Sequence, residues 1–387
     1  MPNGELPTAS WTVTQPWRGV FGMLVCLGIA FAISFVWFHN IMDYTGLMAN
    51  WAMCMVPIEV VIGVAWMGRY PAERLEQPWR GIALTLFMFV IGTIAFMFLF
   101  YVIGGGHSAA PMLGAFIIMA VIVTMFWVIA FGCWPFHKMS LPAKGLLTLM
   151  SSYLLLMAGF RLFNFDTVGI GAPPPPFVPG RVPLAVEGGL HPELAGINPG
   201  GPVTWDYGLV FFFIMIVFMF AFLTLGFWPF SKFKSLMVQP VMGLAIFLSC
   251  FVLALICYGI MIWGMDLAPM RVMIYFVCFA FGMLGIIFMW QMWPGRSWPQ
   301  PRGGFINLLL AVVLAIIAFY GMRAFVAMLF GWDWFVLDSA SGYLTAGPFG
   351  WFALATACLG LTFPAWAIYS PAWDFWPLPP TPGPPAH

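Results

Sequence analysis

Glu59 stands in Val56-Pro57-Ile58-Glu59-Val60-Val61, a lone carboxylate deep in an apolar run. An ionised group in hydrocarbon costs several kcal/mol unless it is paired, hydrated or neutralised, so acids at such depth tend to mark proton or ion sites. Pro57 adds to this, because it lacks an N–H, leaves a nearby carbonyl free and kinks the helix beside the acid. The plainer alternative is a protonated side chain that hydrogen-bonds a neighbouring helix. Arg161 and Arg323 come next, near the outer ends of two apolar runs. Either can pair with an acid such as Asp166 or Asp333, or face an anionic solute; snorkelling to lipid headgroups is the competing role.

His39 and His107 occupy equivalent outer positions in successive parts of the chain. A haem or copper ion would suit such a pair, but His137, His191 and His387 are not spaced to complete a ligand set. No cofactor or metal is therefore expected. The seven cysteines all fall in or at the ends of apolar runs without a CxxC pair, and read as small buried residues. The 28 methionines and 41 phenylalanines are spread through those runs, as adaptable packing rather than a copper-handling surface. Asn307, Gln291 and Tyr258 suit helix packing. A Walker loop, a GxGxxG turn and an HExxH pair are all missing, which argues against a nucleotide-driven pump or a zinc hydrolase.

The elements that must position these residues are hydrophobic spans. The chain is 63% hydrophobic and 7% charged, with a mean hydropathy of +0.97, whereas soluble domains carry roughly 25% charged residues. Continuous apolar runs favour helices over the alternating strands of a barrel. Ten spans are predicted, near 20–39, 48–68, 82–103, 112–133, 145–163, 207–227, 242–264, 270–291, 304–324 and 348–369. The net charge of +1 and the lack of a basic patch exclude a nucleic-acid partner.

A motif punctuates these spans. It reads Gln15-Pro16-Trp17-Arg18-Gly19, Gln77-Pro78-Trp79-Arg80-Gly81, Leu141-Pro142-Ala143-Lys144-Gly145, Gln239-Pro240-Val241-Met242-Gly243 and Gln300-Pro301-Arg302-Gly303-Gly304. Its prolines lie 62, 64, 98 and 61 residues apart, so a unit of about sixty residues recurs. Trp-Pro pairs (134–135, 228–229, 293–294 and 376–377) mark where units close, with Trp66 and Pro71 as a looser first version. Proline suits a first helical turn, and tryptophan with a basic neighbour suits the headgroup layer, so both motifs are expected to be interfacial anchors.

The predicted fold is therefore an all-α integral membrane protein of ten transmembrane helices, arranged as five parallel two-helix hairpin repeats that can close into a pseudo-fivefold ring. Residues 1–15 form an N-terminal segment, 16–372 the membrane domain (units 16–76, 77–140, 141–238, 239–299 and 300–372) and 373–387 a proline-rich, disordered cytoplasmic tail. Such a plan resembles, in helix count and topology alone, that of the tellurite-resistance/dicarboxylate and plant slow anion-channel family; no residue is carried over from it.

Ten basic residues lie on the motif-bearing side and four on the other, which puts both termini in the cytoplasm. The N-terminus lacks a basic n-region, so no cleavable signal is expected, and a bacterial inner membrane is the expected location. Eight of thirteen acids fall on the outer side, which also carries the loop 164–206 with Pro173 to Pro176. That loop is a candidate lid or contact for a protein partner. The connection 325–347 is a candidate for a short interfacial helix. Together these features imply a permease for a small solute or ion in the lipid bilayer, proton-coupled through Glu59. A membrane subunit of a redox or oxygenase complex, or a structural or assembly subunit, are the alternatives.

Overall fold

A computed structural model describes residues 14–40, 50–106, 111–165, 199–267 and 269–330, and from the C-terminal stretch residues 362, 365, 366, 368–376 and 378. Among these, α1 spans Trp17–Asn40, α2 Asn50–Ala65, α3 Trp79–Val102 and α4 Met112–Ala130. Then follow α5 Leu141–Leu162, α6 Trp205–Thr224, α7 Val241–Gly264, α8 Arg271–Met289 and α9 Arg302–Phe330. Seven of them, α3 to α9, are long and apolar enough to cross a membrane, so the chain has the all-α architecture of a multi-pass membrane protein. The apolar stretch Trp17–Ile33 within α1, and α2, are shorter. Most of the predicted span 348–369 lies outside the described residues.

Burial separates the helices into two classes. In α4, α6 and α8 the most apolar window is 78%, 56% and 72% buried, against 28% in each of α3, α5, α7 and α9. Within α2, Met53 to Ile62 is buried throughout, Glu59 included. The even-numbered helices therefore form the core: α2 packs on α4, α4 on α6 and α6 on α8. The outer helices turn rows such as Leu86, Val90, Ile94 and Phe98 of α3 outwards. A stripe of that size would be a liability in water and is what a lipid-facing surface requires. The outer helix α5 packs on α4, α7 on α6 and α9 on α8, so each lies against the inner helix that precedes it in sequence.

Two local devices recur. Three inner helices end in π-helical turns, at Val61–Ala65, Phe126–Ala130 and Gly285–Met289. Just beyond the inner-helix ends, and again in the C-terminal stretch, the chain turns through two left-handed residues: Met67-Gly68, Gly132-Cys133, Gly226-Phe227, Gln291-Met292 and Asp374-Phe375. At four of these sites the second residue bonds back to the carbonyl six positions earlier (Gly68 to Ile62, Cys133 to Trp127, Met292 to Ile286, Phe375 to Tyr369), which satisfies the orphan carbonyls of a helix end.

The second device is the Gln-Pro motif. Gln15, Gln77, Gln239 and Gln300 each accept a bond from the N–H of the glycine four residues on, capping the first turn of an outer helix. Three of the same side chains also donate across to an inner-helix end or the C-terminal stretch: Gln15 to Met289 O at 3.1 Å, Gln77 to Ala372 O at 2.6 Å and Gln239 to Ala130 O at 2.8 Å. In the third copy Leu141 replaces glutamine, and the bond reverses, with Trp66 Nε1 donating to Leu141 O at 2.7 Å.

The motif glycines lie against the residue just before each left-handed pair. A Cβ would meet Trp290 at Gly19, Trp373 at Gly81, Trp66 at Gly145, Phe131 at Gly243 and Leu225 at Gly304. The anchoring role expected for the motif thus divides. Trp17 and Trp79 are exposed, while Trp66 is buried and Trp290 and Trp373 pack against the core. Arg18 is buried rather than directed at lipid. It donates to the Asp374 carbonyl at 3.2 Å, lies 3.7 Å from its carboxylate, and sits 4.6 Å from the centre of the Phe375 ring.

Candidate functional site

The inner helix α2 is interrupted at Cys54-Met55 before it resumes at Val56. Pro57 lacks the N–H that would bond Met53, and Ile58 and Glu59 both donate to Met55 O at 3.0 Å instead. This interruption and the π turn at Val61–Ala65 bracket Glu59 within a short helical piece. Its side chain is 1% exposed, and neither carboxylate oxygen has a hydrogen-bond partner among the described residues.

Glu59 lines a partly open cavity between the four inner helices of the described residues. Val56, Val60, Gly63 and Val64 of α2 meet Met125 and Ile129 of α4, Phe220 and Leu223 of α6, and Leu284, Ile287 and Phe288 of α8. Among the described residues Glu59 is the sole titratable member of the lining, and the rest of that wall is almost wholly apolar. Exposure along the cavity is graded. Val56, Glu59, Val60, Met125, Phe220 and Leu284 are buried, whereas one turn onward Gly63, Ile129, Leu223, Ile287 and Phe288 are half-buried and Val64 is exposed. The cavity is a vestibule that opens towards the seams and has Glu59 in its floor. The π turns of α2, α4 and α8 lie at its mouth, where wider helical turns shift side chains relative to an α-helical register.

An ionised carboxylate in that floor would lack the pairing its burial demands. The group therefore needs a proton, a bound cation or water, and the space has room for roughly two water molecules. A single positive charge would balance the site; among the described residues no second titratable group lines it.

The other candidates lie apart from it. Arg161 is exposed in the 3-10 turn Phe160–Leu162 that ends α5. Trp66 and Gly145 share one level. From there Glu59 lies seven residues along α2 and Arg161 sixteen along α5, about 10 Å and 24 Å at 1.5 Å per residue. Arg323 is half-buried in α9, nineteen residues on from Gly304, and neither arginine lines the cavity. His39 ends its helix with a side chain outside the described residues, as is all of His107. Among the described residues no three His, Cys, Asp or Glu side chains are grouped to hold a metal. Most of loop 164–206 is outside them too. Its ends form a short parallel pairing of β1 (Phe163–Asn164) with β2 (Val203–Thr204), beside which the rings of Phe165 and Trp205 stack at 6.1 Å. Helix α9 runs on to Phe330, past the predicted end of its span. Asn307 packs as expected, accepting from Gly295 N–H at 3.0 Å and donating to Met292 O at 2.9 Å.

The vestibule's phenylalanines, Phe220 and Phe288, gave no sequence signal, being two among 41. No family model, curated protein or solved structure matches this chain.

Proposed function

We propose that the chain is a permease for a small solute or ion, coupled to protons through Glu59. The observation that carries this reading is a fully buried carboxylate without a hydrogen-bond partner among the described residues, in the floor of a vestibule between the inner helices. Proteins keep such a group against its cost where it binds or relays charge. Apolar packing deeper along the inner helices, including Ile117, Ile214 and Phe281, then serves as the closed gate on the far side. Arg161 and Arg323 act at the outer rim in this reading, on an approaching solute or on headgroups.

Five parallel hairpin units in a ring would account for the recurring contacts. The motif of the first unit meets the end of α8 in the fourth. That of the second meets the C-terminal stretch of the fifth, and the third, fourth and fifth meet the ends of α2, α4 and α6. Each unit thus reaches the closing end of the unit two places earlier, and the series closes on itself. The charge bias supports a cytoplasmic seam end, hence a vestibule open to the cytoplasm of a bacterial cell, with the outer loop 164–206 left to meet a protein partner.

The test is proton flux into proteoliposomes under an imposed potassium diffusion potential, read with a trapped pH-sensitive dye. Wild-type protein should carry protons, and Glu59→Gln, which keeps size and polarity but cannot ionise, should fall to the level of empty vesicles. Equal flux in the two proteins would remove Glu59 from the mechanism.

A further inference from the structure

The vestibule's wall restricts what can accompany or replace the proton at Glu59. Calcium takes six to eight oxygen ligands and magnesium a near-ideal octahedron; among the described residues the lining supplies one carboxylate and no other side-chain oxygen. An inorganic cation would keep most of its water, for which the space is too small. A cation that carries its charge on carbon-substituted nitrogen escapes both limits. It needs no set of oxygens, it pairs with one carboxylate, and its alkyl groups are matched by Val60, Met125 and Leu284. Phe220 and Phe288 add aromatic surface of the kind that attracts such ions. The vestibule has room for roughly two water-sized groups, which is the size of methylammonium. Its narrowness limits the guest to the small end of the class.

We propose that this vestibule is a binding site for a small organic ammonium ion, which enters past Val64 and pairs with Glu59. The inference rests on the reading of Glu59 as a functional charge site, and adds the chemical class of the ligand. Dicyclohexylcarbodiimide, an apolar reagent for carboxyls in apolar surroundings, reports on it directly without a flux measurement. Purified protein in detergent should gain one adduct by intact-protein mass spectrometry, mapped to Glu59 and missing from Glu59→Gln. Methylammonium chloride should slow that labelling several-fold, while potassium chloride at equal ionic strength and methanol, its neutral counterpart in size, should not.

Equal labelling under all conditions would overturn the ammonium site and leave Glu59 as a proton site. Equal protection by potassium would overturn the organic character of the ligand, and equal protection by the alcohol would overturn the role of charge. A Glu59 that takes no adduct is out of reach of the vestibule, which sinks the proposal at its premise.

Discussion

The seams and the vestibule are built from the same helix ends by opposite rules. At the seams most polar groups are paired, Arg80 Nε and Trp228 Nε1 excepted among the described residues: a glutamine caps one helix and bonds another, and a glycine gives its missing side chain's space to an indole or phenyl ring. About two turns away, the vestibule leaves a carboxylate without partners and a space unfilled. Fully paired polar groups and close packing hold a structure in one state, whereas an orphan group and a void cost stability and are retained where something must bind or move. The contrast is between well-paired seams and a vestibule proposed as the functional site, and mutations should separate the two.

The largest loss of stability is expected at the seam between α2 and α5. Gly145→Val would put its side chain into the Trp66 indole and strain the bond from Trp66 Nε1 to Leu141 O. Overpacking of this kind costs about 1–3 kcal/mol and occasionally more. The upper end is expected here, because both indole and backbone are fixed. The loss should appear as a lower melting midpoint in detergent. Gly28→Val is the control, as nothing lies within 4 Å of its Cβ, and it should melt like the wild type. If both variants melt alike, the seams are not what fixes the helices.

Gln239→Ala should cost less. It removes the bond to Ala130 O at 2.8 Å and the cap on Gly243 N–H at 3.3 Å, leaving two backbone groups to find other partners. A loss of about 1–3 kcal/mol follows from unsatisfied buried groups, measured by the same melting assay. Proton flux per folded molecule should persist, which distinguishes a seam residue from Glu59.

How much of this was legible in the sequence differs between the two regions. The spans of the seven long helices were readable from hydrophobic runs, with starts three and four residues late where Trp79 and Leu141 open helices beside their prolines. Glu59 was legible because a carboxylate in an apolar run stands out against its cost. Which helices lie inside was not, since a lipid-facing helix is as apolar as a core helix and no amphipathic stripe betrays it. The burial of Arg18 was hidden for another reason: its partner Asp374 is 356 residues away, and the same motif at Arg80 reads alike in sequence. The recurring Gly and Gln were visible as a pattern. Their purpose, to receive a ring and to reach a carbonyl from another part of the chain, is a matter of contacts that no spacing encodes.

The smallest stability effect, and the sharpest test of the contrast, is expected at Glu59 itself. Glu59→Met replaces a carboxyl that lacks partners with an apolar side chain of similar length, in a wall already made of valine, leucine and phenylalanine. Removing an unsatisfied buried polar group should leave the melting midpoint unchanged or raise it, by up to about 1–2 kcal/mol, while flux falls as in Glu59→Gln. The sign is what decides. Were Glu59 a structural residue bonded to a neighbouring helix, the methionine would break that bond and lower the midpoint along with the flux. A protein that becomes more stable as it loses conduction has been keeping its carboxylate for something other than its fold.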